Sequence, residues 1–119
     1  MKNLTGILTA ATLIAAAGLP GTVQALDVEA AKDLSEQNNC KQCHSLRKDK
    51  DGPSFMKTAE KYKGKENAID EILNHLTSGK EIKLADGTKE KHKVAKTMPA
   101  NDAAQLKNLA EYILSIEPK

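Results

Sequence analysis

The chain has 119 residues, with 18 Lys and Arg against 16 Asp and Glu and a formal charge of +2, a balance that gives no ground for expecting nucleic acid as a partner. It has no Trp and only 3% aromatic residues, and many of its apolar side chains are Ala, so the polypeptide alone builds only a thin core. A small domain this poor in large side chains needs a staple or a bound group to fold stably.

Residues 1–25 read as a secretory signal. Lys2 supplies the positive start, an apolar stretch runs from Leu4 to Leu19, Pro20-Gly21 breaks it, and Val23-Gln24-Ala25 forms a small-residue cleavage site. A membrane span needs about 20 apolar residues, so the stretch is short for an anchor, and export as a soluble protein is expected. A retained segment would instead tether the chain to the outer face of a membrane. Taking these 25 residues from 119 leaves 94, enough for one domain over 26–119. Lys2 is the only charge removed, so that domain has 17 Lys and Arg against 16 Asp and Glu.

Asp27 is placed to cap a first helix running to about Asn39, with Val28, Ala31 and Leu34 on one face. The end of that helix delivers Cys40-Lys41-Gln42-Cys43-His44. Two thiols three apart with a histidine directly after the second form the arrangement that attaches haem covalently. The thiols add across the two vinyl groups of one porphyrin, and His44 is held beneath the iron as its proximal ligand. Cys40 and Cys43 are the only cysteines, so none remains for a structural bridge. A second helix begins near Pro53 or Ser54, carries Phe55, Ala59 and Tyr62, and stops at Gly64.

The third helix spans Asn67 to Ser78 with a stripe of Ile69, Ile72, Leu73 and Leu76, and Gly79 follows where a left-handed residue is wanted. The segment from Gly79 to Met98 is rich in lysine, and Asp86-Gly87 offers a two-residue turn for a small hairpin flanked by Ile82, Leu84 and Val94. The last helix has the clearest pattern. Asp102 and Gln105 can form a capping box, and Leu106, Leu109, Ala110, Ile113 and Leu114 repeat at helical spacing.

Taken together, Cys40 to His44, Gly52-Pro53-Ser54-Phe55, Lys61-Tyr62, Met98-Pro99 and the final amphipathic helix resemble the small soluble monohaem class I c-type cytochromes of bacterial periplasms. The resemblance covers nearly all of the mature chain. It implies an all-α fold of about four helices wrapped around one covalent haem c, joined by long loops, with the first and last helices crossing. It also implies that the Pro53 carbonyl accepts the N–H of His44, and that Met98 is the sixth, distal ligand of the iron. Thioether ligation raises the reduction potential relative to two histidines. Many relatives place an aromatic residue near the haem propionates in the segment before this methionine. None stands there here, which leaves lysines or Arg47 as substitutes.

His92 and His75 are the alternatives to Met98. His75, beside the apolar stripe of the third helix, reads as a solvated flanking residue, whereas His92, six residues before Met98, could reach the iron if Met98 were displaced. Met56 belongs to the second helix and is a poor candidate. With both axial positions filled, no site remains for a substrate at iron, which points to a periplasmic electron carrier and away from an enzyme. Such a carrier is a monomer that docks transiently on redox proteins at the haem edge, where small interfaces suit the work. Lys41, Arg47, Lys48 and Lys50 form either a positive collar that steers acidic partners or ordinary solvated surface, since Asp49 and Asp51 interleave with them.

Two other classes stay open. A haem c subunit of a larger oxidoreductase has the same motif, although the chain has no second motif and no linker. A thiol-disulfide oxidoreductase also uses C-x-x-C, but it places that motif after a β-strand, and the residues ahead of Cys40 are helical and polar. A structural zinc site needs four ligands and is weaker still. A buried porphyrin also predicts a hollow centre in the polypeptide and a weakly folded chain without it.

Overall fold

The computed structural model describes residues 24–118. The signal reading for the first 25 residues falls almost entirely outside them. Four helices account for most of the regular structure: α1 (Val28–Gln37), α2 (Phe55–Tyr62), α3 (Ala68–Thr77) and α4 (Ala103–Leu114). A two-stranded hairpin, β1 (Glu81–Lys83) and β2 (Lys89–Lys91), joins α3 to the segment that precedes α4. Among the described residues no helix is long and apolar enough to cross a membrane.

The core sits where α4 packs on α1, α2 and α3. Ala31 of α1 and Leu109 and Ala110 of α4 are completely buried, and the two alanines have the small side chains that let helices approach closely. Leu34, Phe55, Ile72, Leu76, Tyr112 and Ile113 complete the cluster. Each large apolar side chain buried there contributes roughly 1.5–3 kcal/mol. Val28, expected on the inner face of α1, is 38% exposed, because it belongs to the first turn, where the chain is held by polar contacts instead. There the Asp27 carboxylate accepts the Ala30 N–H at 3.0 Å, while its backbone N–H and carbonyl pair with the Asn108 amide of α4 at 2.9 and 2.7 Å.

The other helix ends follow their residue chemistry. Ser54 caps α2 by accepting the Lys57 N–H at 3.1 Å, and Gly64 and Gly79 take positive φ after α2 and α3. The box at α4 is only half formed. Asp102 accepts the Gln105 N–H at 3.0 Å, but the Gln105 amide donates to the Met98 carbonyl at 2.9 Å. Thr97 Oγ1 instead accepts the Asp102 N–H at 2.8 Å.

The hairpin is real but its turn is longer than two residues. Gly87 N–H donates to the Leu84 carbonyl at 3.0 Å and Leu84 N–H to the Thr88 carbonyl at 2.8 Å, so three residues separate the closing pair. Gly87 has φ +88°, as the last position of such a loop requires, and Asp86 accepts from the Thr88 N–H at 2.9 Å.

Candidate functional site

Asn39, at φ 54°, ends the approach from α1 and starts a single 3-10 turn over Cys40–Gln42. The His44 and Cys43 N–H groups both return to the Cys40 carbonyl, at 2.8 and 3.2 Å. This tight turn is how a three-residue spacing gathers both sulfurs and the imidazole into one place. Cys40 and Cys43 are both partly buried free thiols, and burial pushes the Cys40 thiol up.

His44 is oriented from the opposite side. Its Nδ1 lies 2.7 Å from the Pro53 carbonyl oxygen. A carbonyl only accepts, so Nδ1 carries the proton and donates it, and Nε2 is left with its lone pair. Pro53 is fixed in turn by its neighbours. Asp49 accepts the Ser54 N–H at 2.8 Å and pairs with the Lys57 ammonium at 2.7 Å, and the Gly52 N–H donates to the Cys43 carbonyl at 3.0 Å. The Lys57 contact, then the Ser54 N–H, hold the Asp49 carboxyl below its ordinary range. Gly52 lies against the imidazole itself. A Cβ at this position would sit 2.5 Å from His44 Cε1, so only glycine leaves room for the ring.

Above His44 lies a cavity of about 650 Å³, within the roughly 300–1,000 Å³ usual for small-molecule and cofactor sites. Cys40, Cys43 and His44 line one side, with Phe55, Tyr62, Ile72, Leu76 and Ile113 as apolar wall. Phe55 stacks near His44, with centroids 5.9 Å apart. The residues present fit a haem: two thiols to hold its edge, an imidazole with a free lone pair, and an apolar enclosure beside them.

Two histidines enter the same space. His75 of α3 and His92, just after β2, have ring centroids 4.1 Å apart, and His92 is 6.0 Å from His44. The ligating atoms of the three rings lie within 4.8 Å of one another. Burial, reinforced by His92 and then Lys80, pushes His75 down to about 4. Burial also holds His92 below its ordinary value. Reading His75 as a solvated residue therefore misplaced it. Its three-residue spacing from Ile72 is the signal that could have turned it inward. Gly52 belongs to the Gly52-Pro53-Ser54-Phe55 motif, but its contact with the imidazole is visible only in three dimensions.

Met98 is not brought to His44. The residue is 86% exposed, while its carbonyl is held by Gln105. Arg47 donates to the Glu117 carbonyl at 2.9 Å, near the C-terminus and outside the cavity lining. Lys41 pairs with Glu36, and Lys50 donates to the Lys41 carbonyl at 2.7 Å, so much of the anticipated collar is engaged with its own surface. The lysines that do line the cavity are Lys57, Lys61, Lys80, Lys83 and Lys93.

Helices packed around an apolar cavity, with paired thiols and an oriented imidazole at its wall, define a small all-α haem protein of the c type. The family model for cytochrome c matches residues 28–117, and the chain belongs to that family. It is 32% identical over 107 residues to cytochrome c-552 of Hydrogenobacter thermophilus, covering 88% of this chain and 95% of that protein. Among solved structures it is similar to the class 1 cytochrome MtoD of Sideroxydans lithotrophicus ES-1, with 46% identity and a TM-score of 0.73 over 79% of this chain and 100% of that one. It is also similar to cytochrome c552 of Nitrosomonas europaea, with 26% identity and a TM-score of 0.58 over 72% of this chain and 99% of that one. Proteins of the family carry electrons through a covalently bound haem c, and Cys40, Cys43 and His44 fit its attachment motif.

Proposed function

We propose that this chain is an exported, soluble one-electron carrier of the periplasm, monomeric over residues 26–119 after loss of the first 25. The haem, when bound, supplies a reversible one-electron store at its iron. The polypeptide would do the rest: Cys40 and Cys43 would hold the ring edge, His44, its tautomer set by the Pro53 carbonyl, would be the proximal ligand, and Met98 would be the distal one. One observation carries the reading, the 2.7 Å contact from His44 Nδ1 to the Pro53 carbonyl, which leaves Nε2 as the ring's unprotonated nitrogen beside the cavity.

Ligation by Met98 requires its thioether to turn inward from the exposed turn that precedes α4. The backbone on either side is held: the Asn38 amide pairs with Lys96 N–H and carbonyl at 2.7 and 2.9 Å, and Gln105 holds the Met98 carbonyl at 2.9 Å. A carrier with both axial positions filled offers no open iron to a substrate, and redox proteins meet it at the haem edge. A thiol-disulfide exchange role is disfavoured at Cys40, whose partial burial pushes its thiol up, since redox-active thiols of that class have lowered values.

An absorption spectrum of the oxidised holoprotein, made in a host with haem-attachment machinery, tests the ligand set. A near-infrared charge-transfer band of thioether-bound iron is expected in the wild type and should be lost in Met98→Ala. Its persistence in the variant would remove Met98 from the account.

A further inference from the structure

The feature this reading leaves unused is the imidazole pair facing His44. We propose that His92 is a second distal donor, which takes the iron position trans to His44 whenever the Met98 thioether leaves it. The inference rests on the haem-carrier reading above and extends it from one distal ligand to two in competition.

Three observations support His92. The first is reach. Metal–imidazole bonds are about 2.0–2.1 Å, so two imidazoles across one metal place their ligating nitrogens about 4 Å apart. The ligating atoms of His44 and His92 already lie within 4.8 Å, with ring centroids 6.0 Å apart. The second is an unmet need. His92 Nδ1 is buried and has no hydrogen-bond partner, and a buried polar atom left unpaired is destabilising. A metal bond at Nδ1 would meet that need in a ring already held in this position.

The third is support from the backbone. His92 N–H donates to the Lys80 carbonyl at 2.9 Å, and Ala95 N–H to the Leu76 carbonyl at 2.8 Å, so the segment carrying His92 is tied to the end of α3. His75 packs against the His92 ring, with centroids 4.1 Å apart, and helps to hold it. Met98, by contrast, has an exposed side chain and pays to order it. The exchange balances simply. His92 and Met98 are both neutral two-electron donors, so one coordinate bond replaces another and no electron or proton is transferred. Because imidazole raises the potential less than thioether, the chain would hold a low-potential and a high-potential form in one fold.

The test uses haem-loaded wild type, Met98→Ala, Met98→Ala with His92→Leu, and Met98→Ala with His75→Leu, read by ferric electron paramagnetic resonance and carbon monoxide binding. Met98→Ala should stay low-spin with a two-imidazole signature and resist carbon monoxide in its reduced form. Adding His92→Leu should give a high-spin iron that binds carbon monoxide at least about tenfold faster. Adding His75→Leu should leave the two-imidazole signature in place, which separates a bracing ring from a ligand. A high-spin Met98→Ala protein would overturn the proposal while leaving the carrier reading intact. A low-spin, two-nitrogen signature that survives His92→Leu would also overturn it. A wild-type chain without haem would instead defeat the carrier reading itself. Should His92→Leu fail to fold, His92→Gln keeps the polarity and is expected to give the same high-spin iron.

Discussion

Gly52→Ala probes how tightly the polypeptide holds its proximal imidazole. The added Cβ would lie 2.5 Å from His44 Cε1, 2.9 Å from Nδ1 and 3.1 Å from Nε2. Carbon atoms make contact at about 3.5–4.0 Å, so ring and backbone must part by about 1 Å. That movement carries Nδ1 away from the Pro53 carbonyl, which now sits at 2.7 Å, and takes the pair to about the limit of a hydrogen bond. Overpacking of one methyl costs about 1–3 kcal/mol, and the lost hydrogen bond about 0.5–1.5 kcal/mol. The sum is about 1.5–4.5 kcal/mol, which lowers the Tm of a domain this size by roughly 6 °C or more. Thermal unfolding of the holoprotein followed at the haem absorption band measures it. Gly64→Ala is the control: it has φ +74° but nothing within 4 Å of the new Cβ, so it feels backbone strain alone, about 1–2 kcal/mol. A Gly52→Ala holoprotein that melts with the wild type would refute the contact argument.

Asn38→Ala removes three hydrogen bonds that join the end of α1 to Leu34 and Lys96, so chemical denaturation should show about 2 kcal/mol less stability, and an unchanged midpoint would contradict this. Asp49 has its folded value depressed, so its contribution is present above its ordinary value of 3.8 and is lost as pH falls through the lowered one. Asp49→Asn should therefore flatten the acid limb of a stability-against-pH curve relative to the wild type; parallel curves would show that the Lys57 and Ser54 contacts carry no linkage. Ala110→Leu should destabilise by about 1–3 kcal/mol through overpacking of the core that α4 shares with the other helices, and a neutral result in thermal melts would mean the core yields freely there.

What the sequence announced was what depends on near neighbours. Asp27, Ser54 and Asp102 cap helices, Gly64 and Gly79 stop them, and the stripe from Leu106 to Ile113 faces the core, because each follows from the chemistry of a single turn. The haem motif was legible for the same reason, since one 3-10 turn gathers its three residues. The misreadings came from contacts between distant segments. His75 is polar and beside an apolar stripe, and only the cavity between α3 and the following loop draws it inward. Gln105 had a local partner in Asp102 but chose the Met98 carbonyl, seven residues back. Val28 kept the helical spacing but lies in the first turn of α1, where polar pairing with α4 replaces apolar packing.

The account depends most directly on a porphyrin fixed to Cys40 and Cys43. Intact mass of the denatured protein, made beside haem-attachment machinery, measures that bond. One tetrapyrrole per wild-type chain is predicted, with none retained when both cysteines are changed to Ser. A wild-type chain at its polypeptide mass, with two titratable thiols, would contradict the account.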